Sequence, residues 1–212
     1  MPSCTAAPGY SQRVEYFFYC RDRPGTAALR EELGEAHWSF MDGYADAMIA
    51  RGPTLTPDGT AATGSMHIVD LRDARAAHVF AFEEPNYRAG VYGEVLVRRW
   101  RSALGGTMWD FQGDPARNGR FLIIGHSAAD AARDGALDDA QRRFVTDRRR
   151  HFIACGPLLS DDGTNWVGSA MLVELRDRAA VEAMLAEAPY ARASVYAGVE
   201  IHHWRFGGRP SA

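Results

Sequence analysis

The alternation of apolar and polar positions repeats along the chain in two halves. Each half opens with an apolar, β-rich run, at 14–20 and again at 121–124. Apolar side chains then recur every three, four or seven residues, which predicts a helix with one apolar stripe. The stripe consists of Leu29, Leu33, Phe40, Tyr44 and Met48, and the second half places Leu137, Phe144, Arg148 and Phe152 correspondingly.

The rest of each half predicts three further elements and the order βαββαβ. We expect the first helix to end at Gly52-Pro53, because proline cannot continue a helix. A turn at Asp58-Gly59 then leads to a strand at 65–71, a helix at 74–83 that stops before Pro85, and a last strand at 91–100. If Thr54-Leu55 forms a short strand, the unit is the ferredoxin-like arrangement.

Short sequence blocks recur at one spacing of 104 residues, which indicates a duplicated unit. Gly52-Pro53 recurs as Gly156-Pro157, and Trp100-Arg101 recurs as Trp204-Arg205. The same spacing relates Asp58-Gly59-Thr60 to Asp162-Gly163-Thr164, Gly64-Ser65 to Gly168-Ser169, Leu71-Arg72-Asp73 to Leu175-Arg176-Asp177, and Val91-Tyr92 to Val195-Tyr196.

The duplication predicts an α+β fold in which two ferredoxin-like βαββαβ units pack sheet to sheet. Two helices cover one face of each sheet, so the bare faces must be buried against each other. We expect a first domain at 12–102, a linker at 103–118 and a second domain at 119–208.

Composition narrows the classes of function. The 212 residues are 46% hydrophobic and carry a net charge of −3, which does not favour a nucleic-acid partner. All 24 basic residues are arginine, which excludes a Schiff base on lysine. Three cysteines without a CxxC spacing, no signal peptide at Met1 to Tyr10 and no apolar run of membrane-spanning length predict a cytoplasmic protein without a membrane segment.

Cofactor and metal motifs are missing from the sequence. There is no Gly-rich phosphate loop, no nucleotide fingerprint and no nucleophile elbow. His202 and His203 are neighbours on a strand and point to opposite faces, so they make a poor metal pair. We therefore expect no cofactor and no metal, and a small molecule as the partner.

The ordered motifs resemble those of YciI-like proteins over about 90 residues of each half. The first half carries His37, Gly52-Pro53, Gly64-Ser65, Glu84-Pro85 and Gly90-Val91-Tyr92. The second half carries Gly156-Pro157, Gly168-Ser169, Ala188-Pro189-Tyr190 and Val195-Tyr196. The resemblance implies a dimeric α+β barrel, here formed within one chain, and a His-carboxylate acid–base site.

The two halves depart differently from the family pattern. The family's aspartate is replaced by Glu84 in the first half and by Ala188 in the second. The histidine stands as His37, and the position 104 residues later is Gln141. The resemblance therefore implies that His37 and Glu84 are the catalytic pair and that the second half is degenerate.

Further residues of the first half are candidates for substrate binding. Ser65 and His67 lie two apart on a strand and face one side, which lines a pocket if that side is the barrel interior. Tyr87 and Arg88 suit an anionic or phenolic group. Tyr92 completes the set, although its recurrence as Tyr196 also suits a packing role.

Two functions follow from these residues. The first is a cofactor-independent enzyme in which His37 moves a proton with help from Glu84, in an elimination, isomerisation or cyclisation of a small aromatic or polyketide-like molecule. The alternative is a non-catalytic binding or carrier protein. In either case the fused pair stands as a monomer or forms a homodimer.

Overall fold

Alternating side chains of the first strand enter two different cores, and this alternation organises the molecule. In the computed structural model, which describes residues 13–209, β1 spans Val14–Asp22. Phe17 and Tyr19 point into a core shared by both halves, whereas Tyr16 and Phe18 pack against helices of the first half. The predictions that concern Cys4, Met1 to Tyr10 and the domain start at residue 12 lie outside the described residues.

Each half contains four strands with helices on one face. The first half continues with α1 (Ala27–Glu32), α2 (Gly34–Asp42), β2 (Met48–Leu55), β3 (Ala62–Leu71), α3 (Ala74–Phe82), α4 (Pro85–Arg88) and β4 (Tyr92–Trp100). The second half comprises β5 (Gly119–Ser127), α5 (Gly135–Asp147), β6 (Phe152–Leu159), β7 (Trp166–Leu175), α6 (Arg178–Glu187), α7 (Pro189–Arg192) and β8 (Tyr196–Trp204).

The eight strands close into one antiparallel barrel in the order β1-β3-β2-β8-β5-β7-β6-β4. Within each half the order is the ferredoxin-like one, which confirms the predicted fold class. Short ladders join the halves edge to edge: Thr54 pairs with Trp204 in one, and Trp100 pairs with Leu158 in the other. Closure leaves no free sheet edge among the strands of residues 13–209, and side chains from both halves fill the interior.

The predicted end of the first helix at Gly52-Pro53 is wrong. The helical segment ends at α2 and a 3₁₀ turn at Ala45–Ala47, and Gly52 and Pro53 lie inside β2. Met48, which the apolar spacing assigns to the helical stripe, begins this strand, and burial alternates along it. The apolar spacing of three and four thus ran across a helix–strand boundary.

The linker at 103–118 packs against both halves. Ala103 N–H donates to the carbonyl of Cys155 over 2.8 Å, and Met108 is buried in the barrel core. Glu174 accepts hydrogen bonds from Asp114 N–H at 2.6 Å and from Arg120 Nε at 2.8 Å. These contacts hold the crossing segment in one place.

Candidate active site

The N-terminus of α4 places a buried carboxylate beside His37. Glu84 caps this helix, because its Oε2 accepts the backbone N–H of Tyr87 over 2.9 Å. Its Oε1 accepts a hydrogen bond from Nδ1 of His37, on α2, over 2.5 Å. Glu84 is only 2% exposed. Both carboxylate oxygens are therefore held, and the carboxylate fixes the imidazole.

This hydrogen bond determines which nitrogen of His37 is left for chemistry. A carboxylate only accepts, so the proton of the neutral ring stands on Nδ1. Nε2 makes no hydrogen bond within residues 13–209, and the His37 side chain is 13% exposed. Nε2 is thus the atom able to take up a proton.

A second imidazole lies behind the first. The ring centroids of His67 and His37 are 5.9 Å apart, and the His67 and Phe80 rings pack edge to face with centroids 5.5 Å apart. Burial lowers the pKa of His67 well below its usual value, and the charges of His37, Arg30 and Arg51 act in the same direction. His67 is therefore neutral at neutral pH and adds no charge to the pair.

A polar network extends from this pair along the helix-facing side of the sheet. Nη2 of Arg30 donates to Ser65 Oγ over 2.6 Å, and Nη1 donates to Asp22 Oδ1 over 2.8 Å. The hydroxyl of Tyr92 donates to Ser65 Oγ over 3.1 Å, and Asn86 Nδ2 donates to that hydroxyl over 3.2 Å. Burial raises the pKa of Asp22 against the opposing effect of Arg30.

Five of the seven candidate residues converge here: His37, Glu84, Ser65, His67 and Tyr92. Ser65 and His67 do share one side of β3, but it faces the helices and not the barrel interior. Tyr87 and Arg88 are not brought to the cluster. The Tyr87 ring packs on Phe82 at the surface, and Arg88 pairs with Glu83.

Sequence reasoning missed Arg30, Asp22 and Asn86. The paired strands show that β1 and β5 correspond with a spacing of 105 residues, since Val14–Asp22 matches Gly119–Ser127. A comparison at 104 therefore falls out of register in this part. Asn86 had a usable signal, because Tyr190 stands at its counterpart.

In the second half, a side chain caps the start of helix α7 without forming an acid–base pair. Oε1 of Gln141 accepts the backbone N–H of Tyr190, in the first turn of α7, over 3.2 Å. Ala188 stands where Glu84 stands and offers no side-chain cap. His37 contacts the start of the short helix α4, and Gln141 contacts the start of its counterpart α7, which supports their correspondence.

A comparison with protein families identifies the family of this chain. The family model of the YCII-related domain matches residues 14–101 and again 102–205. The chain belongs to the YCII-related family. No curated protein matches its sequence significantly.

Solved structures similar to this YCII-related chain share its barrel. An anthrone oxidase-like protein is 11% identical, with a TM-score of 0.53 and coverage of 92% of either chain. A mutant chlorite dismutase from Candidatus Nitrospira defluvii, in complex with cyanide, is 11% identical, with a TM-score of 0.59 and coverage of 91% of this chain and 90% of that one. At such identity these likenesses establish the dimeric α+β barrel fold.

A third similar structure matches a single half in length. It is the 5-chloro-2-hydroxyhydroquinone dehydrochlorinase from Burkholderia phenoliruptrix AC1100, in complex with 2,5-dihydroxybenzoquinone. It is 27% identical, with a TM-score of 0.39, and the match covers 41% of this chain and 93% of that chain.

Two surface cavities lie away from the His37–Glu84 pair. One of about 390 Å³ is lined by residues that include Arg13, Tyr44 and Arg72. The other, of about 360 Å³, lies along α5 beside Arg142 and Thr146. Neither contains an imidazole, so neither offers the proton-transfer groups found at the pair.

Other reactive groups give no competing site in the part of the chain described. Cys20 and Cys155 are buried and unpaired, and burial raises the pKa of both thiols. Within residues 13–209, no three side chains of His, Cys, Asp or Glu are placed so that they could hold a metal ion. Among the helices of that same range, none has the length and apolarity required to span a membrane.

Proposed function

We propose that this YCII-related protein is a cofactor-independent acid–base enzyme of the lyase, isomerase or cyclase type, acting on a small aromatic or polyketide-like metabolite. The observation that carries the proposal is the 2.5 Å hydrogen bond from His37 Nδ1 to Glu84 Oε1. It leaves Nε2 as a base at the edge of a buried polar network. The cytoplasm is the proposed setting, which the unpaired thiols of Cys20 and Cys155 support.

The pair would work as a proton carrier. Nε2 of His37 takes a proton from an acidic carbon next to a carbonyl, and the electrons of that C–H bond pass into the enolate. The carboxylate of Glu84 stabilises the imidazolium that forms. The imidazolium then returns the proton to another atom, giving an isomer, or to a departing group, giving an elimination.

The proposal is tested by exchange of carbon-bound hydrogen in D₂O. Cyclic 1,3-diketones and hydroxyquinones serve as probes, and ¹H NMR follows the loss of their acidic C–H signals. We expect the protein to accelerate exchange and His37→Gln to abolish the acceleration, a loss of at least about 100-fold for a general base. Gln141→Ala, at the corresponding place in the second half, serves as the control and should leave exchange unchanged.

The hydrogen bond itself has a separate readout. Long-range ¹H–¹⁵N correlation of the neutral His37 ring should show the proton on Nδ1. In Glu84→Ala the proton should move mainly to Nε2, the tautomer that free imidazole side chains prefer. Equal exchange by wild type and His37→Gln, or an Nε2–H ring in the wild type, would refute the acid–base reading.

One observation favours the alternative of a non-catalytic binding protein. Two surface cavities, of about 390 and 360 Å³, both lie away from His37, so a small molecule bound in either of them would not meet the acid–base pair. A binding protein would take up a probe without catalysing exchange of its C–H hydrogen. The two functions therefore give opposite results in one NMR sample.

A further inference from the structure

The segment 205–209, which follows β8, crosses from the second half to the first. Its backbone is fixed to β2, because Gly207 N–H donates to the carbonyl of Arg51 over 2.9 Å. The ring of Phe206 packs against the barrel core, to which both halves contribute. The segment is therefore held at two points before it reaches Arg209.

Arg209 binds the outer face of α2, the helix that carries His37. Its Nη1 donates to Glu35 Oε2 over 2.6 Å, its Nε donates to Asp42 Oδ2 over 2.9 Å, and its Nη2 donates to Ser39 Oγ over 3.1 Å. These three acceptors are spaced by four and three residues, so they share one face of the helix. His37 lies two residues from Ser39 and thus on the opposite side.

The helix α2 has little packing of its own. All nine of its residues are described, and among them Met41 alone is buried. Helices shorter than about 12 residues are marginal without tertiary contacts. An outward movement of α2 would lengthen the hydrogen bond from His37 Nδ1 to Glu84 Oε1, which now measures 2.5 Å. The imidazole therefore depends on contacts that hold the helix from outside.

The second half has no counterpart of this contact. The backbone hydrogen bond that fixes segment 205–209 to β2 is repeated 104 residues earlier, where Ala103 N–H donates to the carbonyl of Cys155 over 2.8 Å. At the same spacing, Gly105 stands where Arg209 stands. Glycine has no side chain to bind α5, so in residues 13–209 the arginine contact belongs to the helix with the histidine.

We propose that Arg209 is a positioning residue, through which the second half holds α2 so that His37 stays hydrogen-bonded to Glu84. The half without an acid–base pair thereby completes the site of the other half. This inference rests on the proposed function and adds a residue to its machinery. The Arg209 side chain is 43% exposed, so dissolved salt weakens its ion pairs and with them the hold on α2.

The test uses two NMR readouts that need no substrate. In Arg209→Gln, the backbone amides of α2 should exchange with D₂O at least about threefold faster relative to those of α5, as loss of an exposed ion pair allows. Long-range ¹H–¹⁵N correlation should show a larger fraction of His37 with its proton on Nε2. NaCl at about 1 M should shift the wild type in the same direction.

Two further variants separate positioning from charge and from general stability. Arg209→Lys should restore part of the wild-type behaviour, since lysine keeps the charge but lacks the planar fork of donors. Arg142→Gln is the matched control, because it removes an exposed ion pair of 2.6 Å with Asp139 on the corresponding helix α5. It should leave α2 exchange and the His37 tautomer unchanged.

Unchanged α2 exchange and an unchanged His37 tautomer in folded Arg209→Gln would overturn the proposal. Equal acceleration in α2 and α5 would also overturn it, because that result means a general loss of stability. Neither readout requires turnover, so both remain decisive even if the wild type fails to accelerate C–H exchange and the proposed function falls. In that assay, Arg209→Gln should slow exchange by a smaller factor than His37→Gln, because the base itself is kept.

Discussion

Gly52 lies so close to Arg205 that a Cβ at position 52 would stand 1.9 Å from the carbonyl oxygen of Arg205. The relationship is repeated in reverse, since a Cβ on Gly156 would stand 2.0 Å from the carbonyl oxygen of Arg101. Each glycine of one half thus admits the end of the last strand of the other. The recurring Gly-Pro and Trp-Arg blocks are the two sides of one junction.

We expect Gly52→Ala and Gly156→Ala each to destabilise the fold. The added methyl group would collide with backbone, which cannot move aside as a flexible side chain can, and overpacking of this kind costs about 1–3 kcal/mol. Urea unfolding measures the free energy. Gly198→Ala is the control, because a Cβ there meets nothing within 4 Å. Equal stability of the three variants would contradict the junction.

The fold could be predicted from the sequence because duplication repeats every local signal. Two copies of βαββαβ with one bare sheet face allow few arrangements, and the barrel is the one observed. The end of the first helix could not be predicted. Gly52-Pro53 looks like a helix stop, but the glycine is required by Arg205, a residue far away in sequence.

The site was only partly predictable, because its contacts also join residues that are far apart in sequence. His37 and Glu84 followed from the family resemblance, and their spacing in sequence says nothing of the hydrogen bond between them. Arg30 and Asp22 come together only when β1 and α1 pack on β3. Their contacts are tertiary, so no local period marks them.

Glu200 joins the two halves inside the barrel and should stabilise the fold in a pH-dependent way. Its carboxylate is bonded by Arg21, by His126 Nε2 at 2.6 Å and by His202 Nε2 at 2.8 Å. Burial alone would raise the pKa of Glu200, but these hydrogen bonds prevail and lower it to about 2.

The pKa of Glu200 is lower in the folded chain than in the unfolded chain, where it lies near 4.5, so its ionised carboxylate stabilises the fold above that pH. This stabilisation is lost as the pH falls toward 2. We expect Glu200→Gln to lower the free energy of unfolding at pH 7 by on the order of 2 kcal/mol, and the difference from wild type to shrink over that acid window. Glu94→Gln, at the exposed partner of Arg21, should cost less than about 0.5 kcal/mol. A pH-independent difference for Glu200→Gln would contradict this account.

Met108 anchors the linker in the barrel core. It is 1% exposed, and its Sδ accepts the backbone N–H of Arg51 over 3.2 Å. Met108→Ala should lower the free energy of unfolding by about 2–4 kcal/mol, because it leaves a cavity between the halves. Trp109→Ala is a stringent control, since the neighbouring ring is larger but 49% exposed. A greater loss from Trp109→Ala would show that the linker is not held through Met108.

His67 should make the first half sensitive to mild acid. Its pKa is lowered by burial and by the charges of His37, Arg30 and Arg51, so folded His67 stays neutral where the unfolded chain already binds a proton. Between the ordinary value near 6.5 and the lower folded value, the unfolded state therefore takes up more protons. In that range this residue makes stability fall with decreasing pH, by up to about 1.4 kcal/mol per pH unit.

The matched variant is His67→Met, because the second half carries Met171 at this position, buried against its own helices. We expect the variant to lose less stability than wild type between pH 7.5 and pH 5.5 in urea unfolding, since its side chain binds no proton. His78→Gln, at an exposed histidine of α3, should keep the wild-type slope. Parallel pH profiles for wild type and His67→Met would mean that folded His67 binds a proton as readily as unfolded His67 does. That result would contradict the interpretation of His67 as a neutral imidazole beside His37.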